Sequence, residues 1–304
     1  MAALSLFHKE LSVAVSVSVI IPAYNREAYI EETINSVLYQ TFQNFELIVV
    51  DDGSTDNTRN ILESFDDERI SILEHPGRAN KGQSAAINLG LKHAKGEFIA
   101  ILDSDDYWLP EKLEIQVAYL QQHNDIGLVY ANGTAVDPNR NHLYPIYNED
   151  HRECSDPGRV LKDCYFFVPT NSLVRSEVIR KVGEFDESLR AAQDHDMAIR
   201  IAETTKLAYI NTPLFAYRRH PESISSTRAH IRWQNGFYIL DKAIRRFNYP
   251  SNIIRSRKAV LHFRLYQCRK RNGQFLSAIG HLLTAGYLDP ARSVRVLCRK
   301  ELIT

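Results

Sequence analysis

The sequence predicts an α/β fold in which a mostly parallel sheet lies between helices, followed by a C-terminal helical extension. Three observations predict it. Short apolar runs alternate with amphipathic stretches as far as residue 131. These runs are apolar on both faces, which is typical of strands buried in a parallel sheet. Beyond residue 225 helical periodicity replaces the alternation.

The expected elements follow in chain order. Strands are expected at 15–21, 46–50, 69–73, 98–102 and 127–131, with a short one at 208–210. Helices are expected between them at 28–40, 55–64, 84–93 and 110–122. Residues 137–160 are rich in Asn, Asp, Pro and His and predict a long irregular loop. The C-terminal helices are expected at 228–247, 252–271, 274–287 and 290–300.

The charge of the chain divides it in two. Residues 1–222 hold 21 Lys and Arg against 34 Asp and Glu, a balance of −13. Residues 223–304 hold 16 against 3, a balance of +13, so the net charge of zero conceals an acidic body and a basic tail. We therefore expect an N-terminal extension at 1–15, an acidic α/β domain at 16–222 and a basic helical region at 223–304.

The basic region permits two interpretations. Basic amphipathic helices suit an anionic membrane face, and they equally suit docking onto the acidic body. No recognisable nucleic-acid-binding module accompanies the charge, which disfavours nucleic acid as a partner. Apolar runs are too short to cross a bilayer, so we expect a cytoplasmic protein, peripheral on the inner membrane face if the tail binds lipid. The cysteines form no CxxC pair and predict free thiols: Cys154, Cys164, Cys268 and Cys298.

Three polar segments each follow directly after a predicted strand. Ligands bind outside the carboxyl ends of parallel strands, so these segments should converge on one edge. Alone, the second reads more readily as a turn and helix cap. In the third, three carboxylates within four residues repel one another unless a cation compensates, which favours Mg²⁺ or Mn²⁺. The segments are Pro22-Ala23-Tyr24-Asn25, Asp51-Asp52-Gly53-Ser54 and Asp103-Ser104-Asp105-Asp106.

Two later segments add candidate groups. Asp194-His195-Asp196 precedes a helical stretch, where acidic residues are ordinary caps, but a carboxylate there can also serve as a general base. Arg218 and His220 supply donors suited to phosphate, and His220 also offers a nitrogen ligand for a metal. Taken alone, a basic cluster of this kind is a weak signal.

Read in order, these segments resemble family 2 glycosyltransferases of the GT-A fold, a Rossmann-like architecture. The resemblance covers about 200 residues, and its specificity lies in six motifs that occur in the family's order. They are SVIIPAYN at 18–25, SVLYQTF at 36–42, VVDDGSTD at 49–56, LDSDD at 102–106, the segment from Gly183 to Arg200 that includes Asp194-His195-Asp196, and Tyr217-Arg218 with His220 and Ser223-Ile224-Ser225.

The resemblance implies an inverting enzyme of cell-wall or polysaccharide biosynthesis. It would move a sugar from a nucleotide-diphosphate sugar, UDP- or dTDP-linked, to a hydroxyl of a sugar, polymer or lipid-linked acceptor with Mn²⁺ or Mg²⁺. Asp194 would be the base, Arg218 and His220 would contact the diphosphate, and Asp105, Asp103 and His220 would hold the metal. The residues implied for the nucleotide are Pro22, Ala23, Tyr24, Asn25, Asp51, Asp52, Asp103 and Ser104.

The sequence departs from the family pattern at two positions. Gln193 stands before Asp194, where many members have Glu. Ile87 stands where many have Arg, and Arg78 is the candidate to supply that charge to the nucleotide. The alternatives are a nucleotide-sugar-binding protein without catalysis and a sugar nucleotidyltransferase. The second lacks its expected Gly-rich basic signature at 22–27.

Overall fold

The computed structural model describes residues 16–220 and 229–297. The expected extension at 1–15, the boundary near 223, the motif Ser223-Ile224-Ser225 and Cys298 lie outside these residues.

The described strands form a single mixed sheet of order β3-β2-β1-β4-β8-β6-β9-β5, with β7 pairing to β6. Strands β1 to β4 are mutually parallel, β8 runs antiparallel between β4 and β6, and β6 and β9 are again parallel. Their bounds are β1 Val17–Ala23, β2 Phe45–Asp51, β3 Ile70–Glu74, β4 Phe98–Ile101, β5 Tyr107–Trp108, β6 Ile126–Val136, β7 His142–Pro145, β8 Ser172–Arg175 and β9 Lys206–Arg218.

Helices cover both faces of this sheet and continue as a C-terminal group. Those of the sheet region are α1 Ile30–Leu38, α2 Thr58–Glu63, α3 Gln83–His93, α4 Lys112–Gln122, α5 Pro157–Asp163, α6 Ser176–Val182 and α7 Gln193–Ala202. Those of the C-terminal group are α8 Ala229–Arg246, α9 Ser251–Arg271, α10 Phe275–Leu288 and α11 Pro290–Leu297. None of the helices in the described ranges is long and apolar enough to cross a bilayer.

The alternation of side chains along β1 shows why helices cover both faces of the sheet. Val19 and Ile21 pack into a core with α1 and α4, whereas Ile20 packs into a second core with α3, α5 and α7. Successive side chains of a strand point to opposite faces, so a run that is apolar at every position must be buried on both. The predicted fold class, a mostly parallel sheet between helices with a helical extension, is confirmed.

The expectation of an irregular loop at 137–160 is wrong in part. This segment contains β7, which pairs antiparallel with β6, and the first turn of α5. The Asp137 carboxylate closes the turn between β6 and β7 by accepting hydrogen bonds from the Asn139 and Asn141 amides. All four residues of β7 are exposed, so the strand lacks the apolar alternation that would have revealed it.

The C-terminal helices pack on the acidic body. Lys242 of α8 contacts Asp186 at 2.7 Å and the fully buried Asp196 at 3.0 Å. Arg246 pairs with Glu203, and the same core that holds α3 and α7 also holds apolar residues of α8 and α9. Docking onto the body, one of the two interpretations of the basic region, therefore occurs; a functional division near residue 223 stays a prediction.

Candidate active site

A cavity of about 460 Å³ opens at the carboxyl edge of β1, β2 and β4. The loops after these strands line it, together with the first residues of α3 and α7, the end of β9 and Arg232 of α8. The polar segments therefore converge as expected from the ends of parallel strands. The predicted site residues that line the cavity are Pro22, Ala23, Tyr24, Asn25, Asp52, Asp103, Ser104, Asp105, Asp194 and Arg218.

Three predicted site residues are not part of this lining in the described chain: Asp51, Arg78 and His220. The Asp51 carboxylate accepts a hydrogen bond from the Ser54 amide at 2.9 Å, and its other oxygen lies 3.7 Å from the Arg78 guanidinium. Asp51 thus closes the turn after β2, as the turn interpretation of this segment describes.

Asp52 ties the loop after β2 to the start of α3. Its two carboxylate oxygens accept hydrogen bonds from the backbone amides of Lys81, at 2.8 Å, and Gly82, at 2.7 Å. Only 3% of Asp52 is exposed, but each carboxylate oxygen retains capacity for a further hydrogen bond. A contact between Asp52 and a nucleotide base stays a prediction.

Gly82 is required where it stands. Its backbone has a φ of +94°, which L side chains rarely adopt, and a Cβ there would lie 2.4 Å from the Arg190 guanidinium. Arg190 itself donates a hydrogen bond to the Lys81 carbonyl at 2.9 Å and lines the cavity. Because residue 82 has no side chain, the Arg190 guanidinium can lie against its backbone and reach the cavity.

Asn25 links the loops after β1 and β2. Its backbone is left-handed, with a φ of 50°, and its amide donates to the Ser54 hydroxyl at 3.1 Å. In return, the Thr55 amide donates to the Asn25 side-chain oxygen at 2.8 Å. These bonds fix the rim of the cavity beside Tyr24, whose side chain is substantially exposed.

Asp103 is a half-buried carboxylate whose ionised form is disfavoured by its surroundings. Burial, with the charges of Asp105 and Asp194, raises its pKa to about 8, and Arg26 and Gln83 only partly oppose this. The Gln83 amide donates to Asp103 at 2.7 Å. Since an opposite charge would stabilise the ionised form, a cation bound between Asp103 and Asp105 would relieve this repulsion.

Asp105 already has cationic neighbours. Its Oδ2 lies 3.0 Å from His220 Nε2 and 3.4 Å from Arg26 Nε. Burial would raise the pKa of Asp105, but the hydrogen bond from His220 and the charge of Arg26 outweigh burial and lower it. His220 therefore contacts Asp105, the residue with which it is predicted to share the metal.

Asp106 connects the acidic segment to β9. One carboxylate oxygen accepts a hydrogen bond from the Arg218 amide and the other from the Thr170 hydroxyl, both at 2.8 Å. Burial, then Asp105 and Asp103, raises its pKa well above the usual value. Asp106 is therefore a structural anchor, outside the predicted ligand set.

The Arg218 guanidinium is 2% exposed and lies against the acidic segment. Its Nε donates to the Asp105 carbonyl at 2.8 Å, and its Nη2 pairs with Glu32 at 2.5 Å. These contacts hold the Arg218 guanidinium at the cavity edge, next to Asp105. A contact between Arg218 and a diphosphate stays a prediction.

Asp194 faces the acidic segment from the start of α7. The helix begins after Ala192, whose φ is 67°, and the next two residues, Gln193 and Asp194, line the cavity. The Gln193 amide donates to Gln83 at 2.6 Å, and Gln83 donates in turn to Asp103. A line of two amides therefore joins the predicted base helix to the acidic segment, through the residue at which this chain departs from the family pattern.

His195 lies behind Asp194 and is buried. Burial, and then the charges of Arg232, Arg257 and Arg264, lowers its pKa to about 3 against the opposing effect of Asp194. The neutral ring approaches Arg232 at 2.6 Å through Nε2, which accepts the hydrogen bond. Helix α8 is thus fastened to the residue next to the predicted base.

The donor set fits a divalent cation only together with a substrate. Within residues 16–220 and 229–297, no three His, Cys, Asp or Glu side chains are arranged to hold a metal ion. Mg²⁺ and Mn²⁺ commonly take one or two carboxylates and complete their shell with phosphate oxygens and water. Asp103 and Asp105, with His220 adjacent, meet that requirement at the cavity.

Among the lining residues that the sequence does not point to are Arg26, Gln83, Arg190 and Arg232. Arg26 could have been found, because it directly follows the first strand-end segment. Gln83 begins a predicted helix next to that edge. Arg190 and Arg232 carried no local signal, since a loop and a helix far along the chain bring them to the cavity.

Comparisons with known proteins show the family of the chain. Residues 18–183 match the family described as glycosyl transferase family 2, and the chain belongs to this family. It is 32% identical over 233 residues to the glycosyltransferase GlyG of Streptococcus pneumoniae serotype 4, covering 71% of this chain and 75% of GlyG. The chain is therefore a glycosyltransferase, and the nucleotidyltransferase and non-catalytic alternatives are set aside.

A second relative is 46% identical over a shorter stretch of 123 residues. It is the UDP-Glc:alpha-D-GlcNAc-diphosphoundecaprenol beta-1,3-glucosyltransferase WfgD of Escherichia coli. The match covers 40% of this chain and 47% of WfgD, so the chain spans about half the length of that relative.

Solved structures show the same GT-A fold. TarS 1-349 of S. aureus in complex with UDP-GlcNAc aligns with a TM-score of 0.70 at 22% identity, over 90% of this chain and 83% of that one. The mannosyltransferase PcManGT of Pyrobaculum calidifontis, in complex with GDP-Man and Mn²⁺, aligns with a TM-score of 0.61 at 22% identity, over 95% and 80% of the chains.

Proposed function

We propose that this glycosyltransferase transfers a sugar from a UDP- or dTDP-sugar to an acceptor hydroxyl with inversion, assisted by Mn²⁺ or Mg²⁺. One observation carries the proposal: Asp194 lines the same cavity as Asp103 and Asp105, close enough for its charge to raise the pKa of Asp103. A base on one side and a cation site on the other are the two groups that a direct displacement needs.

Each group has a defined task in this proposal. Asp103 and Asp105 would hold the cation, with His220 hydrogen-bonded to Asp105 at 3.0 Å, and the cation when bound would stabilise the negative charge of the departing nucleoside diphosphate. Asp194 accepts the proton of the acceptor hydroxyl as that oxygen attacks the anomeric carbon. Arg218 lies at the edge of the acidic segment and contacts the diphosphate. The rim built by Asn25 and Asp52 binds the nucleoside.

The partners follow from the relatives and the chemistry. WfgD, by its name, uses UDP-Glc and a diphosphoundecaprenol-linked sugar, and TarS is described with UDP-GlcNAc. These names support a UDP-sugar donor and a lipid-linked, sugar or polymer acceptor here. A lipid-linked acceptor would also require contact with the inner membrane face, which the proposal assigns to the basic C-terminal helices.

Asp194→Asn tests the proposal. We expect transfer to fall by roughly a hundredfold or more, because the amide cannot accept the acceptor proton. Binding of UDP- or dTDP-sugar with Mn²⁺, followed as a thermal shift, should remain, because Asp194 does not hold the nucleotide. NMR of the product of the unaltered chain should show the inverted anomer.

The matched control is Asp125→Asn, an exposed carboxylate paired with Lys206 on the surface. It should transfer like the unaltered chain. Undiminished transfer by Asp194→Asn would remove Asp194 as the base, and a product of retained configuration would refute direct displacement. Stabilisation by GDP-sugars alone would overturn the assignment of the donor.

A further inference from the structure

Helix α10 lacks charged side chains although much of its surface is exposed to solvent. From residue 272 to residue 288 the sequence contains no Asp, Glu, Lys or Arg. Five large apolar or aromatic side chains of α10 are nevertheless exposed, which we call the α10 face. They are Phe275, Leu276, Ile279, Leu283 and Tyr287, exposed by 62%, 90%, 53%, 69% and 87%.

The spacing of these residues places them on one side of the helix. Positions 276, 279, 283 and 287 recur at intervals of three and four, which in an α-helix form a continuous stripe. Ala278 and Ala285 are buried on the other side, and Ala285 lies beside Val260 and Phe263 of α9. The helix is therefore anchored by its small residues and presents its large ones outward.

An exposed apolar surface of this kind requires a partner. Single exposed apolar residues are common on proteins, but a contiguous stripe marks an interaction site. Val294 of α11 is also exposed, by 60%, and belongs to the adjoining helix. What covers the stripe follows from the charge around it.

The surroundings of the α10 face are basic. Residues 251–288 contain seven Lys and Arg and no Asp or Glu. Lys270 and Arg271, at the end of α9 just before α10, are exposed. At the other end of α10, Asp289 interacts with Arg295 of α11, so the unbalanced positive charge lies at the start of the stripe. Cations beside an apolar stripe complement an anionic lipid surface, where each contributes about 1 kcal/mol. Two copies of this chain meeting through the same face would instead bring like charges together.

Four other basic residues of the C-terminal helices contact the sheet domain. Lys242 and Arg246 of α8 pair with acidic residues of the sheet domain, and Arg292 pairs with Asp163. Arg257 of α9 is 1% exposed and donates to the Lys162 carbonyl. Helix α8 and the inner side of α9 are thus fastened to the body, and α10 remains as the outward surface.

We propose that the α10 face inserts into the interfacial layer of an anionic membrane, with Lys270 and Arg271 against the lipid headgroups. This inference rests on the membrane contact in the proposed function but not on the transfer reaction. Apolar side chains beside exposed cations bury in the acyl boundary while the cations remain with the headgroups. Tyr287 suits this depth, because its ring is apolar and its hydroxyl stays hydrated.

Vesicle flotation of the full chain tests the proposal. The unaltered chain should float with phosphatidylcholine vesicles that contain phosphatidylglycerol, and much less with phosphatidylcholine alone. The triple variant Leu276→Ser, Leu283→Ser, Tyr287→Ser should lose vesicle affinity by at least about tenfold, because the apolar area that would be buried is removed. Lys270→Gln with Arg271→Gln should weaken only the binding to anionic vesicles.

The matched control is Leu143→Ser with Tyr144→Ser, two exposed residues of β7. This variant should float like the unaltered chain, and circular dichroism should show that all variants keep their helices. Equal flotation of the triple variant, or no flotation of the unaltered chain, overturns the proposal. A dimer that the triple variant converts to a monomer would assign the face to a second copy instead. Release of UDP from the donor, measured without vesicles, tests the reaction separately.

Discussion

At the scale of single residues, His195 shows how closely the predicted base is tied to its surroundings. It is held neutral by burial and by three arginines, and it accepts a hydrogen bond from Arg232. The family pattern names the histidine only as the neighbour of Asp194. In the structure, its hydrogen bond with Arg232 connects α7 to α8.

The lowered pKa of His195 predicts a pH dependence of stability. The unfolded chain titrates this group near 6.5 and the folded chain at about 3, so the unfolded state binds more protons between those values. Stability is therefore lost as pH falls through 6.5. From pH 7 to pH 5 the free energy of unfolding should fall by about 2 kcal/mol from this residue alone.

Urea unfolding of His195→Gln at the two pH values checks this. The glutamine oxygen can still accept the hydrogen bond from Arg232 but does not titrate. The variant should therefore lose less stability on acidification than the unaltered chain. His93→Gln, at an exposed histidine of α3, is the control and should keep the full dependence. An unchanged slope in His195→Gln would contradict the neutral buried imidazole.

At the scale of elements, the amide line from α7 through α3 to Asp103 couples two sides of the cavity. Gln83→Ala removes the donor to Asp103 and the acceptor for Gln193 together. With Mn²⁺ bound, Asp103 would be ionised, and a hydrogen bond to a charged group is worth about 1.5–3 kcal/mol. The affinity for the nucleotide with Mn²⁺ should therefore fall roughly tenfold or more. Calorimetric titration with UDP measures it.

Gln121→Ala, an exposed glutamine of α4, is the control for this substitution. It should bind UDP like the unaltered chain. If Gln83→Ala also binds normally, the amide line does not position Asp103. If it binds weakly but unfolds at the same urea concentration as the unaltered chain, the loss belongs to the site.

The elements with clear limits in the sequence could be predicted, and others could not. Strand β1 and helices α3 and α9 were expected within two residues of their observed ends. Strand β1 is one continuous apolar run, Gly82 precedes α3, and Pro250 and Gly273 bound α9. Strand β8 and helix α6 are short and adjacent, so neither accumulates a repeat. Strand β9 runs for 13 residues although residues 211–213 are exposed, which breaks the apolar signal at its middle.

The candidate site was predictable where it follows strand ends. Asp52, Asp103 and Asp105 were placed by the rule that parallel strands deliver their carboxyl ends to one edge. Gln83 and Arg232 were not, because their positions depend on how α3 and α8 pack. Periodicity predicts which face of a helix is buried, but not which polar side chain reaches a cavity from its end.

At the scale of the whole molecule, α8 and α9 share a hydrophobic core with the sheet domain. Ion pairs from α8 and α11 cross the same boundary. We therefore expect a single unfolding transition for the described chain, although the two regions differ in charge and sequence character.

Trp233→Phe provides the test, because it leaves Trp108 of the sheet domain as the only tryptophan. Urea transitions followed by its fluorescence and by circular dichroism of the helices should coincide. Lys242→Ala should lower both urea midpoints together, because the buried Asp196 loses a partner and the free energy of unfolding falls by about 2 kcal/mol or more. Two separate transitions would show that the helical region unfolds on its own.

Gly82 has a consequence for how such sequences vary. Its φ of +94° is one that L side chains rarely adopt, so a substitution there is strained whatever stands opposite. The Arg190 guanidinium ends a flexible side chain and can move aside. Relatives should therefore keep the glycine whether or not they keep the arginine, and an alignment would show variation at the second position without a matching change at the first.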